Sequence, residues 1–154
     1  MSLLEKYVSE CEKDIGKYDV YYHFIGDLSR FDDSLRLRIQ SLEEKTAHNR
    51  LILNIAFNYG GRSELVRAFS QLAAEGVSEI REEDISEKMY TVKSGDPDLI
   101  IRTGGDLRIS NFLLWQSAYA ELYFTETLWP DFGPSDMEKA IRDFYARKRR
   151  YGGV

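Results

Sequence analysis

The sequence predicts an α/β fold in which a mostly parallel sheet carries helices on both faces. Three observations point to it. Blocks with apolar residues at helical spacing alternate with short β-branched and aromatic runs along the whole chain. One of those runs, Leu51–Phe57, is apolar at nearly every position, as a central strand covered on both sides would be. Glycines and prolines stand singly between the blocks, so the connections read as those of one compact domain, residues 1–154.

The elements follow in order. Leu4, Tyr7, Val8, Cys11 and Ile15 have helical spacing, and Gly16 stands where a helix stops. Tyr18–Ile25 reads as a strand ending at Gly26-Asp27. Asp32, Asp33 and Ser34 are cap-type residues before a block with Leu35, Ile39 and Leu42 at helical spacing, giving a helix to about His48. After the strand Leu51–Phe57, Asn58-Tyr-Gly-Gly61 turns the chain into a helix whose inner face is expected to hold Leu65, Val66, Phe69, Leu72 and Ala73. A short helix is predicted from Asp84 to about Thr91, a strand over Leu99–Ile101, a helical block from Asn111 to about Ser117 and a strand over Leu122–Phe124. Ser135 with Glu138 has the spacing of a capping box for a last helix that ends in Arg147-Lys-Arg-Arg150.

Composition bounds the function. Hydrophobic residues make up 43% of the 154 and charged residues 31%, which is ordinary for a chain that folds. The 21 Lys plus Arg against 26 Asp plus Glu give a net charge of −5, which argues against nucleic-acid binding, because phosphate neutralisation needs excess basic residues. The longest uncharged apolar stretch, Leu51–Asn58, is far short of the roughly 18 residues that read as a membrane span, and the first residues lack a signal-peptide pattern. A soluble, cytoplasmic protein is expected. Cys11 stands alone and cannot form an internal disulfide, and two histidines plus one cysteine cannot build the usual tetrahedral zinc site.

In parallel α/β sheets the ligand site lies beyond the carboxyl ends of the strands, and two loops fall there, 58–62 and 102–110. The second reads Arg102-Thr-Gly-Gly-Asp-Leu-Arg-Ile-Ser110. Gly104 and Gly105 would let backbone N–H groups approach an anion. Arg102 and Arg108 offer fork-shaped donors, Ser110 a hydroxyl, and the helix expected after them the positive end of its dipole. A phosphate or diphosphate is the natural guest. The structural alternative is a tight glycine turn whose arginines pair with surface carboxylates. Asp32-Asp33 reads as a helix cap rather than an aspartate-rich metal motif, and His23 and His48 read as packing and surface residues.

The run from Ile101 through Ser110 to Asn111-Phe-Leu-Leu-Trp-Gln-Ser-Ala-Tyr-Ala-Glu-Leu-Tyr-Phe124, followed by Leu128-Trp-Pro-Asp131, resembles the C-terminal signature of the cis-prenyltransferases, typified by undecaprenyl diphosphate synthase. Gly26-Asp-Leu-Ser-Arg-Phe31, Leu53–Arg62 and Arg150-Tyr-Gly152 resemble further segments of the family in the right order, so the likeness covers nearly the whole chain. It implies condensation of isopentenyl diphosphate with an allylic diphosphate such as farnesyl diphosphate, giving a cis-polyprenyl diphosphate with the help of Mg²⁺. By the same resemblance, Arg102, Gly104, Gly105, Arg108 and Ser110 hold the isopentenyl diphosphate, Arg150 and Gly152 reach it across a homodimer interface, and Glu121 is the carboxylate associated with the metal. Leu51, Leu53 and Ile55 would line the tunnel for the growing chain, or simply pack the core. The lipid product implies peripheral contact with a membrane.

The sequence departs from the family pattern in two ways. The family's His-x-x-x-x-x-Asp-Gly-Asn-x-Arg-Trp segment, with its essential aspartate, and its Phe-Ser-x-Glu-Asn-Trp segment have no counterpart among these 154 residues. The chain is therefore expected to be an incomplete, C-terminal portion of the enzyme, without the catalytic aspartate, keeping the isopentenyl diphosphate half-site and inactive alone. Leu107 stands where some members carry a histidine. The alternative is a non-catalytic partner subunit of a heteromeric cis-prenyltransferase. Retention of the 102–110 loop argues against it, because such partners tend to lose that loop.

Overall fold

The structure is a computed structural model that describes residues 3–148. It is α/β with parallel strands, as the sequence predicts, and it divides into two compact units, Met1–Ser94 and Gly95–Val154.

In the first unit, α1 (Leu3–Lys13), β1 (Val20–Gly26), α2 (Asp33–Thr46), β2 (Leu51–Phe57), α3 (Gly61–Ala74) and α4 (Glu82–Glu87) follow one another. β1 and β2 pair in parallel from Val20 with Leu51 to Gly26 with Phe57. A parallel pair needs a long crossover, and α2 provides it. The Asp32 carboxylate caps α2 by accepting from the Leu35 amide at 2.9 Å. Leu35, Ile39 and Leu42 on α2 then close a core with Leu4, Val8 and Cys11 of α1 and Tyr22 and Phe24 of β1. On the edge of β1 away from β2, the Tyr22 amide donates to Thr46 Oγ1 and the Phe24 amide to Glu43 Oε1 at 2.7 Å, so α2 side chains satisfy an edge the sheet leaves open.

Two expectations are corrected here. β2 is not covered on both faces: Leu51 is 64% and Leu53 43% exposed. The strand is apolar throughout, but among the described residues only β1 pairs with it. The inner face of α3 is also turned by about one residue. Its buried positions are Gly61, Glu64, Ala68 and Leu72, while Val66 and Phe69 face solvent. The cause is Glu64, whose buried carboxylate accepts from the Tyr90 amide at 2.7 Å and from the Tyr59 hydroxyl, fixing which side of the helix turns inward.

In the second unit, β3 (Leu99–Arg102) pairs in parallel with β4 (Glu121–Phe124), a 3₁₀ turn spans Trp129–Asp131, and α5 is Pro134–Ala146. Between β3 and β4 the sequence predicts a helix over Asn111–Ser117, and the structure has turns instead. Ser110, Asn111 and Leu113 have φ of 47°, 64° and 46°, which no right-handed helix accommodates. The cap of α5 also differs from Ser135 with Glu138. Gly133 is the N-cap and its amide donates to Asp136 Oδ2 at 3.2 Å. Pro134 occupies the first helical position, where its missing N–H costs nothing.

Candidate functional site

The 102–110 loop leaves β3 at its carboxyl end, where a parallel pair presents its ligand face. Gly104 and Gly105 have φ of 90° and 80°, so the turn requires glycine. Their amides do not point at an empty cradle. Gly104 N–H donates to the Thr127 carbonyl and Gly105 N–H to the Thr125 carbonyl, both at 2.9 Å, which ties the loop to the segment after β4. The two glycine amides are thus taken up by the protein itself, and the helix whose dipole the sequence predicts after the loop is replaced by turns. What the glycines contribute is the path of the chain.

The side chains do converge. Arg102 Nη2 and Arg108 Nη2 both donate to one oxygen of Asp106, Oδ2, at 2.8 and 2.7 Å. Arg102 is the more enclosed, with 27% of its side chain exposed against 66% for Arg108, and its Nε is buried without a hydrogen-bond partner. Ser110 lies exposed on the same turn. Behind Arg102 opens a pocket of about 280 Å³ walled by Ile100, Ile101, Ile109, Phe112, Leu122 and Phe124, with Arg102 and Thr103 as its polar edge. The site thus has cationic donors at one side and an apolar interior at the other. It suits a small molecule with an anionic head and a hydrocarbon body.

Glu121 is not part of this cluster. In the β3–β4 register it stands opposite Leu99, whereas Arg102 stands opposite Phe124, so the two lie at different ends of the strand pair, about 10 Å apart along it. Its carboxylate accepts from Arg147 Nη1 at 2.8 Å. That contact, with Asp143 second, pushes the Arg147 guanidinium above its ordinary pKa. Among the described residues no group of three or more His, Cys, Asp or Glu side chains gathers to hold a metal. Magnesium takes one or two protein carboxylates and completes its shell with substrate phosphates and water, so a single carboxylate such as Glu121 is of the ligand type it needs, and here that carboxylate is paired with Arg147. Arg150 and Gly152 lie outside the described residues.

Sequence reasoning missed Asp106 and Arg147. Asp106 was open to detection, since Arg-x-x-x-Asp-x-Arg puts a carboxylate between two guanidinium groups on one short loop. Arg147 was not, because it meets Glu121 from 26 residues away. The other loop at a strand end, 58–62, borders a second pocket of about 300 Å³ in the first unit, lined in part by Asp27, Asn58, Ser63, Glu64 and Arg67. Arg67 Nε there is buried without a hydrogen bond, while its guanidinium stacks 3.8 Å over the Tyr90 ring.

Parallel strand pairs with flanking helices and a basic loop at a strand end define an α/β protein with a cationic site. The chain belongs to the prenyltransferase family whose model is described as putative undecaprenyl diphosphate synthase and matches residues 1–152. It is 45% identical over 155 residues to an isoprenyl transferase of Fusobacterium nucleatum, covering all of this chain and 67% of the relative. It is 49% identical over 149 residues to the ditrans,polycis-undecaprenyl-diphosphate synthase ((2E,6E)-farnesyl-diphosphate specific) of Salmonella typhimurium, covering 92% of this chain and 59% of the relative. The chain therefore spans about three fifths to two thirds of these relatives' lengths. Among solved structures, a probable undecaprenyl diphosphate synthase from Campylobacter jejuni superposes with a TM-score of 0.88 at 38% identity, covering 98% of this chain and 72% of that one. Lavandulyl diphosphate synthase from Lavandula x intermedia, in complex with dimethylallyl diphosphate, superposes with a TM-score of 0.89 at 32% identity, covering 97% and 68%.

Proposed function

We propose that this chain is the isopentenyl diphosphate-binding part of a cis-prenyltransferase. The observation that carries the reading is the pocket behind Arg102, apolar inside and cationic at its edge. Arg102 and Arg108 hold the diphosphate, Ser110 adds a hydroxyl donor, Gly104 and Gly105 set the turn, and the five-carbon tail rests against Ile100, Ile109, Phe112 and Leu122. The walls exclude water from the reacting end, and the arginines fix the head so that the double bond has one orientation. In the reaction the allylic C–O bond breaks, the π electrons of isopentenyl diphosphate form the new C–C bond, and a proton leaves the attacking partner. Magnesium, when bound, shields the charge of a diphosphate, and Glu121 would supply one of its oxygen ligands.

We assign residues 1–154 to one prenyltransferase domain. The family's essential aspartate has no counterpart among these 154 residues. We therefore expect no prenyl transfer from the isolated chain with farnesyl diphosphate, isopentenyl diphosphate and Mg²⁺, and turnover on the order of 1 s⁻¹ would contradict that. By its family we read the protein as cytoplasmic, meeting a membrane only through its lipid product.

The test is calorimetric titration of isopentenyl diphosphate into wild type and Arg102→Ala. Loss of charge-assisted donors should weaken binding about tenfold or more, with Arg102→Lys recovering only part, because an ammonium cannot offer two parallel donors. Equal affinities would mean that Arg102 serves only its ion pair with Asp106. A chain that binds isopentenyl diphosphate no better than Arg102→Ala, yet restores transfer when mixed with a complete prenyltransferase subunit, would favour the partner-subunit reading.

A further inference from the structure

We propose that Asp106 is a positioning residue that holds Arg102 and Arg108 converged while leaving most of their donors for a diphosphate. The inference rests on the reading of this loop as the diphosphate site.

Both guanidinium groups meet at the same oxygen, Asp106 Oδ2, at 2.8 and 2.7 Å. Two cations within two hydrogen-bond lengths repel each other, and the shared carboxylate offsets that repulsion. It does so sparingly. A fork-to-fork pair would occupy two N–H groups of an arginine, whereas each arginine here gives Asp106 one, and a guanidinium has five. Arg102 Nε is one of the donors left over, buried and without a partner. A buried donor left unmet is costly, and a ligand oxygen would satisfy it.

The two arginines need this support unequally. Arg102 ends β3 and is flanked by the walls of the pocket. Arg108 is exposed on an irregular turn, and its side-chain ion pair is with Asp106. Asp106 itself follows two amides anchored to the Thr127 and Thr125 carbonyls, so its carboxylate is presented from a fixed backbone. The opposite role is a competitor, a carboxylate that occupies the arginines and must be displaced. The single shared oxygen favours positioning, since a competitor would gain from engaging both forks fully.

The two roles predict opposite signs. Inorganic pyrophosphate is titrated calorimetrically into wild type, Arg102→Ala, Asp106→Ala, Asp106→Asn, Asp106→Glu, Arg108→Ala and the double variant Asp106→Ala/Arg108→Ala, with far-UV circular dichroism confirming that each is folded. Positioning predicts that Asp106→Ala weakens binding about tenfold. Asp106→Asn, of the same shape, should lose less, and Asp106→Glu should retain most of the affinity. In the double variant the Asp106 change should add less to Arg108→Ala than it costs alone, because the arginine that depends on it most is gone and no second cation is left to hold against Arg102, whereas a general loosening of the loop would add in full. Unchanged affinity, tighter binding in Asp106→Ala or Asp106→Asn, or fully additive losses would each overturn the proposal. If wild type binds and Arg102→Ala does not, those outcomes sink this inference alone. If wild type does not bind pyrophosphate, the reading of the loop fails and this inference fails with it.

Discussion

Gly26 has φ of +109°, and a Cβ built on it would stand 2.0 Å from the Phe57 carbonyl oxygen, which is backbone and cannot swing aside. The close approach arises because Gly26 and Phe57 are the last pair of the β1–β2 register, where the two strands turn into the 27–31 and 58–60 segments. Replacing Gly26 by Ala should therefore force the strand ends apart and cost at least about 1–3 kcal/mol, read as a lowered urea midpoint. Gly16→Ala is the control. Its φ is +79° but nothing lies within 4 Å of the added carbon, so only the conformational cost applies, about 1 kcal/mol. Equal losses at the two positions would show that the contact with Phe57 contributes nothing.

The α1–α2 contact is the element whose stability should depend on pH. Arg38 on α2 donates from Nε and Nη2 to the two oxygens of Glu12 on α1, at 3.0 and 2.6 Å, and from Nη2 to Ser9 Oγ at 2.8 Å. The hydrogen bonds from Arg38 hold the Glu12 carboxyl below the ordinary carboxylate range, against the opposing effect of burial. A depressed folded pKa means that the unfolded chain binds the proton more readily. The contribution to stability is thus fully present above the unfolded value, about 4.3, and is lost as pH falls through the lower folded value. The Glu12 and Arg38 side chains are 35% and 37% exposed, so water screens the pair, and Glu12→Gln should cost no more than about 1 kcal/mol at pH 7. The gap between wild type and variant in denaturant titrations should shrink as pH falls below the unfolded carboxylate value and close below the depressed folded one. A gap that stays constant would assign the loss to packing rather than charge.

At the scale of the whole molecule, the second unit carries more exposed apolar surface than isolated side chains account for. Tyr119 is 77% and Trp129 74% exposed, and Met137, Ile141 and Tyr145 form an exposed stripe four residues apart along α5. Aromatic residues of this kind favour protein interfaces, and a second copy of the chain is the partner expected to cover them. Light scattering should therefore give about twice the 17.9 kDa of the chain. A clean monomer at high concentration would contradict the homodimer.

The sequence by itself determined the features that depend on a few neighbouring residues. Strand β2 has the bounds read from its apolar run, and Asp32 caps α2 as its residue type requires, because both rest on local chemistry. The positions of Arg102 and Arg108 on one loop at a strand end were equally legible. Only the tertiary structure decided the rest. The crossover after Arg108 is irregular because its backbone is held at positive φ between two paired strands, although its composition suits a helix. The buried face of α3 follows the partners of Glu64, and one of them, the Tyr90 amide, lies 26 residues on. Which carboxylate each guanidinium meets was likewise beyond composition and period, since Arg147 reaches Glu121 only when α5 lies beside β4. Periodicity and capping are properties of short stretches of chain. Burial and ion pairing depend on which distant stretches meet, and that is set by the fold as a whole.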